Sequence, residues 1–215
     1  MKKETGIILA LDVTDEKLAI EIAEETKDDL DAIKVGYPLI LGTGLSFIKE
    51  LKNYAPVIAD FKVADIPNTN RLICEHVFNA GAEAIIIQAF TGKDSLEECV
   101  KTAEAFDKKV FVVAEMSHPG GDTFFTKEVS EKIAKMAKDS KAYGIVAPAT
   151  RPERIKSLRE IIGTDMKIIS PGVGKQGGSA KGTLEAGADW IIVGRSIYES
   201  KDPGKAIKDY VNQIK

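Results

Sequence analysis

The chain has 215 residues, 44% of them hydrophobic, enough to bury one sizeable core, so a single domain over residues 1–215 is expected. Thirty Lys and Arg against thirty-three Asp and Glu give a formal net charge of −3, which argues against a broad nucleic-acid or anionic-membrane surface. No apolar stretch reaches the ~20 residues of a membrane span, and Asp12 and Asp15 interrupt the first apolar run too early for a signal peptide.

In chain order, short apolar runs alternate eight times with longer segments of helical period. Strands are predicted over 6–12, 32–36, 57–62, 84–89, 109–115, 143–147, 167–170 and 190–194. The helices that follow them are predicted over 15–27, 44–52, 68–80, 95–106, 127–138, 152–162, 180–186 and 203–214. Thr14 and Asp94 are candidate helix caps, Pro152 and Pro203 suit a first helical turn, and Ala80-Gly81-Ala82 and Ala186-Gly187-Ala188 read as repeated helix-to-strand turns. Eight β-α units imply an α/β chain closed as a (β/α)8 TIM barrel. A doubly wound open sheet is the alternative, but it favours a glycine-rich loop after the first strand, where this chain has LDVTDE. The longest non-periodic piece, SHPGGDTFFT over 117–126, is a candidate lid in which Phe124 and Phe125 either seal a site or pack locally.

Barrel active sites lie at the carboxyl ends of the strands. There this chain places Asp12, Lys34, Asp60, Lys62, Ser117 and Arg195. In IADFKVADIPNT, Asp60, Lys62 and Asp65 set two acids around one lysine, and strand period aims Asp60 and Lys62 to one side. Lys34 sits inside an apolar strand, which requires a paired site for its ammonium or a snorkelling stem.

Two glycine loops coincide with the predicted ends of strands seven and eight, SPGVGKQGG and VGRSIY. Barrels commonly build phosphate sites there, because glycines let backbone amides approach the oxygens. Gly172, Gly174, Gly177, Gly178 and Gly194 would supply the backbone, with Arg195 and Gln176 as side-chain donors.

The segments LALDV, IKVGYPL, ADFKVADIPNT, EMSHPG, ATRPERI, ISPGVGKQGG and VGRSIY occur in the order found in archaeal-type orotidine 5′-monophosphate decarboxylases, and the chain resembles that family over essentially its whole length. The resemblance implies a cofactor-free homodimer that converts orotidine 5′-monophosphate to UMP. It implies a catalytic array of Lys34, Asp60, Lys62 and Asp65, with Lys62 as proton donor and Asp65 entering from the second subunit. It further implies that Asp12 and Lys34 contact ribose hydroxyls and that Ile66 and Thr69 reach across the interface. Ser117 would read the pyrimidine amide edge, Gln176 and Arg195 would hold the phosphate beside Gly194, and the segment from Pro171 to Gly178, with Gly172, Val173 and Gly174, would close over the ligand. Gln88 departs from the histidine common in that family; it can hydrogen-bond but not titrate.

Other constellations carry less. His76 and His118 are the only histidines, too few for a histidine-rich metal site. Cys74 and Cys99 fall in helix-like segments without paired-Cys metal spacing and read as reduced thiols of a soluble, cytoplasmic protein. Trp190 reads as packing, and the charge runs Lys27-Asp28-Asp29 and Asp107-Lys108-Lys109 as solvated turns. The rival enzyme is a magnesium-dependent sugar-phosphate decarboxylase or synthase of the same suprafamily, which carries a glutamate ligand where this chain has Lys34. A non-catalytic nucleotide-binding barrel would explain the glycine loops and Arg195 but not the lysine-aspartate array.

Overall fold

The structure is a computed structural model that describes residues 2–214, so residues 1 and 215 of the expected unit lie outside the described residues. Eight parallel strands, β1 Ile7–Ala10, β2 Ala32–Gly36, β3 Val57–Val63, β4 Ala84–Gln88, β5 Lys109–Val113, β6 Gly144–Val146, β7 Lys167–Pro171 and β8 Trp190–Val193, pair in chain order. Ile7 of β1 pairs with Ile191 of β8, which closes the sheet into the expected barrel. Around it run α1 Glu16–Thr26, α2 Tyr37–Thr43, α3 Ile48–Leu51, α4 Pro67–Asn79, α5 Lys93–Ala105, α6 Lys127–Asp139, α7 Pro152–Ile162, α8 Ala180–Glu185, α9 Arg195–Tyr198 and α10 Pro203–Ile214.

Strand alternation divides the apolar residues into two layers. Ile8, Ala32, Ile58, Ala84, Phe111, Ile169 and Trp190 fill the barrel interior, while Ile7, Leu9, Ile33, Val57, Ile85 and Val112 pack outward against the helices. Gly144 makes room for this filling: a Cβ there would stand 2.7 Å from the Phe111 ring. These side chains fill the amino end of the barrel, and the charged cavity lies at the carboxyl ends of the strands.

The helix-to-strand turns repeat one chemistry. After α4, the Gly81 amide donates to Phe78 and the Ala82 amide to Val77; after α8, Gly187 donates to Leu184 and Ala188 to Thr183. Both glycines have positive φ, 102° and 109°, as this C-terminal cap requires. Asp107 and Lys141 take the same role after α5 and α6 with φ of 54° and 57°, positions where no glycine signals the turn.

Several local expectations are corrected. Asp15, not Thr14, caps α1 by accepting from the Leu18 amide at 2.8 Å, and α5 starts after Gly92, with Asp94 inside its first turn. The second unit holds an unpredicted helix, α2, and the segment predicted as one helix over 44–52 is a 3-10 turn Leu45–Phe47 followed by α3. Within the candidate lid, Pro119–Thr123 forms a 3-10 turn; Phe125 packs against the core while Phe124 is 78% exposed. Lys27–Asp29 forms a 3-10 turn, and Lys108 and Lys109 are not simply solvated, since both pair with the half-buried Glu83 at 3.0 and 2.5 Å.

Trp190 is packing, as expected, with one polar tie. Its indole donates to Asp31 at 2.8 Å, and Asp31 also accepts from the amides of Glu4, Thr5 and Gly6. No helix among the described residues is long and apolar enough to cross a membrane.

Candidate active site

The interior faces of β1, β2 and β3 read apolar first and charged two residues further on. Ala10 is followed by Asp12, Ala32 by Lys34, and Ile58 by Asp60 and then Lys62, so one pleat period brings four charged side chains to the rim. Together they line a cavity of about 220 Å³, walled by Ile86, Val146 and Ile192 below and by Met116, Ser117, Pro171, Gly172, Val173, Gln176, Gly194 and Arg195 above.

Asp60 is the centre of the array. Lys62 Nζ donates to both its carboxylate oxygens, at 2.8 and 2.9 Å, and Lys34 Nζ lies 3.1 Å from Oδ2. Lys34 also lies 3.5 Å from Asp12 Oδ1, so its buried ammonium bridges two carboxylates rather than snorkelling. Burial alone would push the Lys34 pKa down, yet Asp60 and Asp12 outweigh it and hold it above the ordinary lysine value. Burial likewise works to raise Asp60, and the two ammonium groups more than reverse it, leaving that carboxyl below its ordinary range. Of these two lysines lining the cavity, Lys34 is 8% exposed and Lys62 37%, so Lys62 offers more of its head to the open space.

The backbone under Lys62 is irregular. Between the pairs Ala59↔Ile85 and Val63↔Ile87, β3 runs through four residues while β4 advances two, a bulge that interrupts the ladder. Lys62 sits inside it with φ of 43°, a region that costs a non-glycine residue about 1–3 kcal/mol. Pleat alternation still sends Asp60 and Lys62 to the same side, as the spacing predicts.

Asp65 does not complete the array within its own chain. It is exposed beyond the end of β3, and its Oδ1 accepts from the Ile66 amide at 2.7 Å. Ile66 is 65% exposed and Thr69 half-buried at the start of α4, both outside the cavity. The expectation of two acids around one lysine is thus met by Asp60 alone in a single subunit.

The glycine loops lie where the sequence places them, with one correction. The amides of Gly174, Gly177 and Gly178 donate to Gly178, Gly174 and Gly172 carbonyls, so they brace the loop instead of facing the cavity. Glycine is required at Gly174, whose φ is 79° and where a Cβ would stand 2.5 Å from the Tyr210 hydroxyl. Arg195 begins the short helix α9, exposed at the cavity mouth with Gln176, and both also border a wider outer groove with His118 and Arg151.

Sequence reasoning missed Glu115, Met116, Lys175, Ser196 and Tyr198, all of which line the cavity. Glu115 is 1% exposed and pairs with Arg151 at 2.6 Å and Arg154 at 2.8 Å, while the Arg151 guanidinium also donates to the Met116 carbonyl. This cluster ties EMSHPG to ATRPERI and fixes the root of the Ser117 segment. A buried carboxylate at a strand end was the available signal. Tyr198 lies one helical turn beyond Arg195, and burial, reinforced by Asp12, raises its phenol pKa. Gln88 is buried beneath Met116 with no partner for its Oε1. Among the described residues no three His, Cys, Asp or Glu side chains gather as a metal cluster.

A family model described as orotidine 5′-phosphate decarboxylase / HUMPS family matches residues 5–210. A curated relative from Methanococcoides burtonii named orotidine 5′-phosphate decarboxylase is 62% identical over 214 residues, covering 100% of this chain and 99% of the relative. One of the same name from Pyrococcus abyssi is 47% identical over 211 residues, covering 97% of this chain and 99% of the relative. The crystal structure of orotidine 5′-monophosphate decarboxylase from Methanocaldococcus jannaschii complexed with the inhibitor BMP has a TM-score of 0.92 at 45% identity, covering 97% of this chain and 98% of that chain. With a charged cavity at the carboxyl end of a closed eight-stranded barrel and matches of this extent, the chain belongs to the orotidine 5′-phosphate decarboxylase / HUMPS family.

Proposed function

We propose that this chain converts orotidine 5′-monophosphate to UMP in de novo pyrimidine biosynthesis, without a cofactor and with Lys62 as proton donor. As a family member with full-length relatives of that name it is a carboxy-lyase. The observation that carries the mechanism is the Lys34–Asp60–Lys62 array, with one ammonium buried and the other turned to the cavity.

Loss of carbon dioxide leaves the bonding electron pair on ring carbon 6, with no electron sink to spread it. Lys62 meets that pair with a positive charge already in place and then transfers its proton to carbon 6, giving UMP and an amine that regains a proton from water. Asp60 fixes the direction of the ammonium through both oxygens and opposes the substrate carboxylate. Two like charges about 4 Å apart at an effective dielectric of about 20 repel by roughly 4 kcal/mol, far below the ~23 kcal/mol at the upper end of enzymatic barrier reduction. Stabilisation of the carbanion by Lys62 and closure of the loops over the ring supply the larger share.

In this reading Asp12 and Lys34 hold the ribose hydroxyls and Ser117 reads the pyrimidine edge. Gln176 and Arg195 hold the phosphate, framed by Gly194 and by the loop of Pro171, Gly172, Val173 and Gly174. A homodimer supplies Asp65, Ile66 and Thr69 across the interface. Tyr37, Leu41, Ile66 and Phe90, each more than half exposed, follow the carboxyl ends of the adjacent strands β2, β3 and β4, an apolar surface that a second copy would cover. Mixing inactive Asp65→Ala and Lys62→Ala dimers under exchange should restore activity; no recovery with verified exchange contradicts the shared site. The free, buried Cys74 and Cys99 suit a cytoplasmic location.

The magnesium-dependent reading is disfavoured because the Lys34 ammonium occupies the gap between Asp12 and Asp60, where it would repel a cation. The test is the loss of orotidine 5′-monophosphate absorbance with EDTA-treated protein and UMP identified as product. Conversion is expected; a requirement for added magnesium would overturn the cofactor-free reading.

A further inference from the structure

We propose that Tyr37 is a positioning residue for Lys62, acting through the carbonyl of Phe61. The inference rests on the reading of Lys62 as proton donor. Tyr37 opens α2 directly after β2, its ring stacks on Phe61 with centroids 5.4 Å apart and planes at 21°, and its hydroxyl donates to the Phe61 carbonyl at 2.7 Å. That carbonyl belongs to the peptide plane joining Phe61 to Lys62. Holding that plane restrains the torsions on either side of it, Phe61 ψ and Lys62 φ, the latter standing at 43°.

The hydroxyl acts where the fold needs an extra restraint. The last β2–β3 register pair is Gly36↔Asp60, and the β3–β4 register is interrupted from Ala59 to Val63, so Phe61 and Lys62 lie where regular pairing lapses on both sides. A positive φ outside glycine persists only where its surroundings impose it. Tyr37 imposes it from the neighbouring strand end, and the bidentate contact of Lys62 with Asp60 depends on the backbone direction so fixed. Stacking alone would need only a phenylalanine, and Tyr37 is 53% exposed, so its phenol is not retained for core packing.

Tyr37→Phe keeps the stack and the apolar surface and removes only the donor. It should lower kcat about tenfold, the worth of one hydrogen bond, keep UMP affinity at the parental value and move the thermal midpoint by no more than the loss of that one bond. A crystal structure of the variant beside the parent should show Lys62 leaving the positive-φ region or losing one of its two contacts with Asp60. Unchanged kcat with unchanged Lys62 geometry would overturn the proposal. So would a joint fall of kcat, UMP affinity and thermal stability, which is the mark of a merely structural role. A parent protein that does not turn over orotidine 5′-monophosphate would instead remove the reading of Lys62 as proton donor, and the paired structures would still decide whether the hydroxyl holds its backbone.

Discussion

At the amino end of the barrel Asp31 accepts from three backbone amides and the Trp190 indole, and Glu83 pairs with Lys108 and Lys109. At the carboxyl end Asp60 joins two lysines, but Lys62 keeps its head toward a cavity and Arg195 stands exposed at the mouth. The same residue types serve both ends. What separates them is the presence at one end of polar groups whose remaining bonds can be made only by something that enters. Charge satisfied internally stabilises a fold; charge arranged around open space has capacity left for a ligand.

Substitutions at the two ends should therefore separate activity from stability. The largest effect is expected from Lys62→Ala, a fall in turnover of at least about ten-thousandfold with UMP binding retained, read by steady-state assay and calorimetry. Asp31→Ala should do the reverse: it leaves the Trp190 indole and the Gly6 amide without their acceptor and should cost about 2–4 kcal/mol of stability, with kcat per folded molecule unchanged, as thermal unfolding beside assay would show. Arg195→Ala should lower kcat/KM about 10- to 100-fold, the loss of charge-assisted bonds to a phosphate, with less effect on a substrate lacking that phosphate. Glu83→Gln should be mildest, at most about 1 kcal/mol by chemical denaturation, because the glutamine oxygen still accepts from lysines that are 26% and 24% exposed.

The pH response follows from the same array. Asp60 has a lowered pKa in the folded chain, so its contribution to stability is full above the ordinary carboxylate value near about 4 and is lost as pH falls through the lower folded value. Lys34 has a raised pKa, so its contribution is full below the ordinary lysine value near about 10.4 and is lost as pH rises through the higher folded value. Between those limits the charge separation at Asp60 persists. Denaturation midpoints across pH, in the parent and in Asp60→Asn, measure this window.

Much of this architecture was legible because strand burial and chemistry coincide in the sequence. Short apolar runs ending in Asp12, Asp60 and Lys62, with Lys34 set inside another, mark both the strands and the rim. Helix α2 escaped prediction because Tyr37–Thr43 is too short to show a helical period, although Pro38 suits a first helical turn. The bulge at Lys62 carries no glycine to announce its positive φ. Glu115 finds Arg151 and Arg154 across 36 and 39 residues, and Asp31 finds Trp190 across 159, pairings that local periodicity does not encode. Spacing alone sets Asp65 beside Lys62, but the turn after β3 carries it outward, away from the array of its own chain.

The most direct test of the account is to follow orotidine 5′-monophosphate in heavy water with EDTA-treated parent and Lys62→Ala proteins, reading UMP carbon 6 by NMR. UMP carrying deuterium at carbon 6 is expected from the parent, with no detectable conversion by the folded variant. Comparable conversion by Lys62→Ala would contradict it.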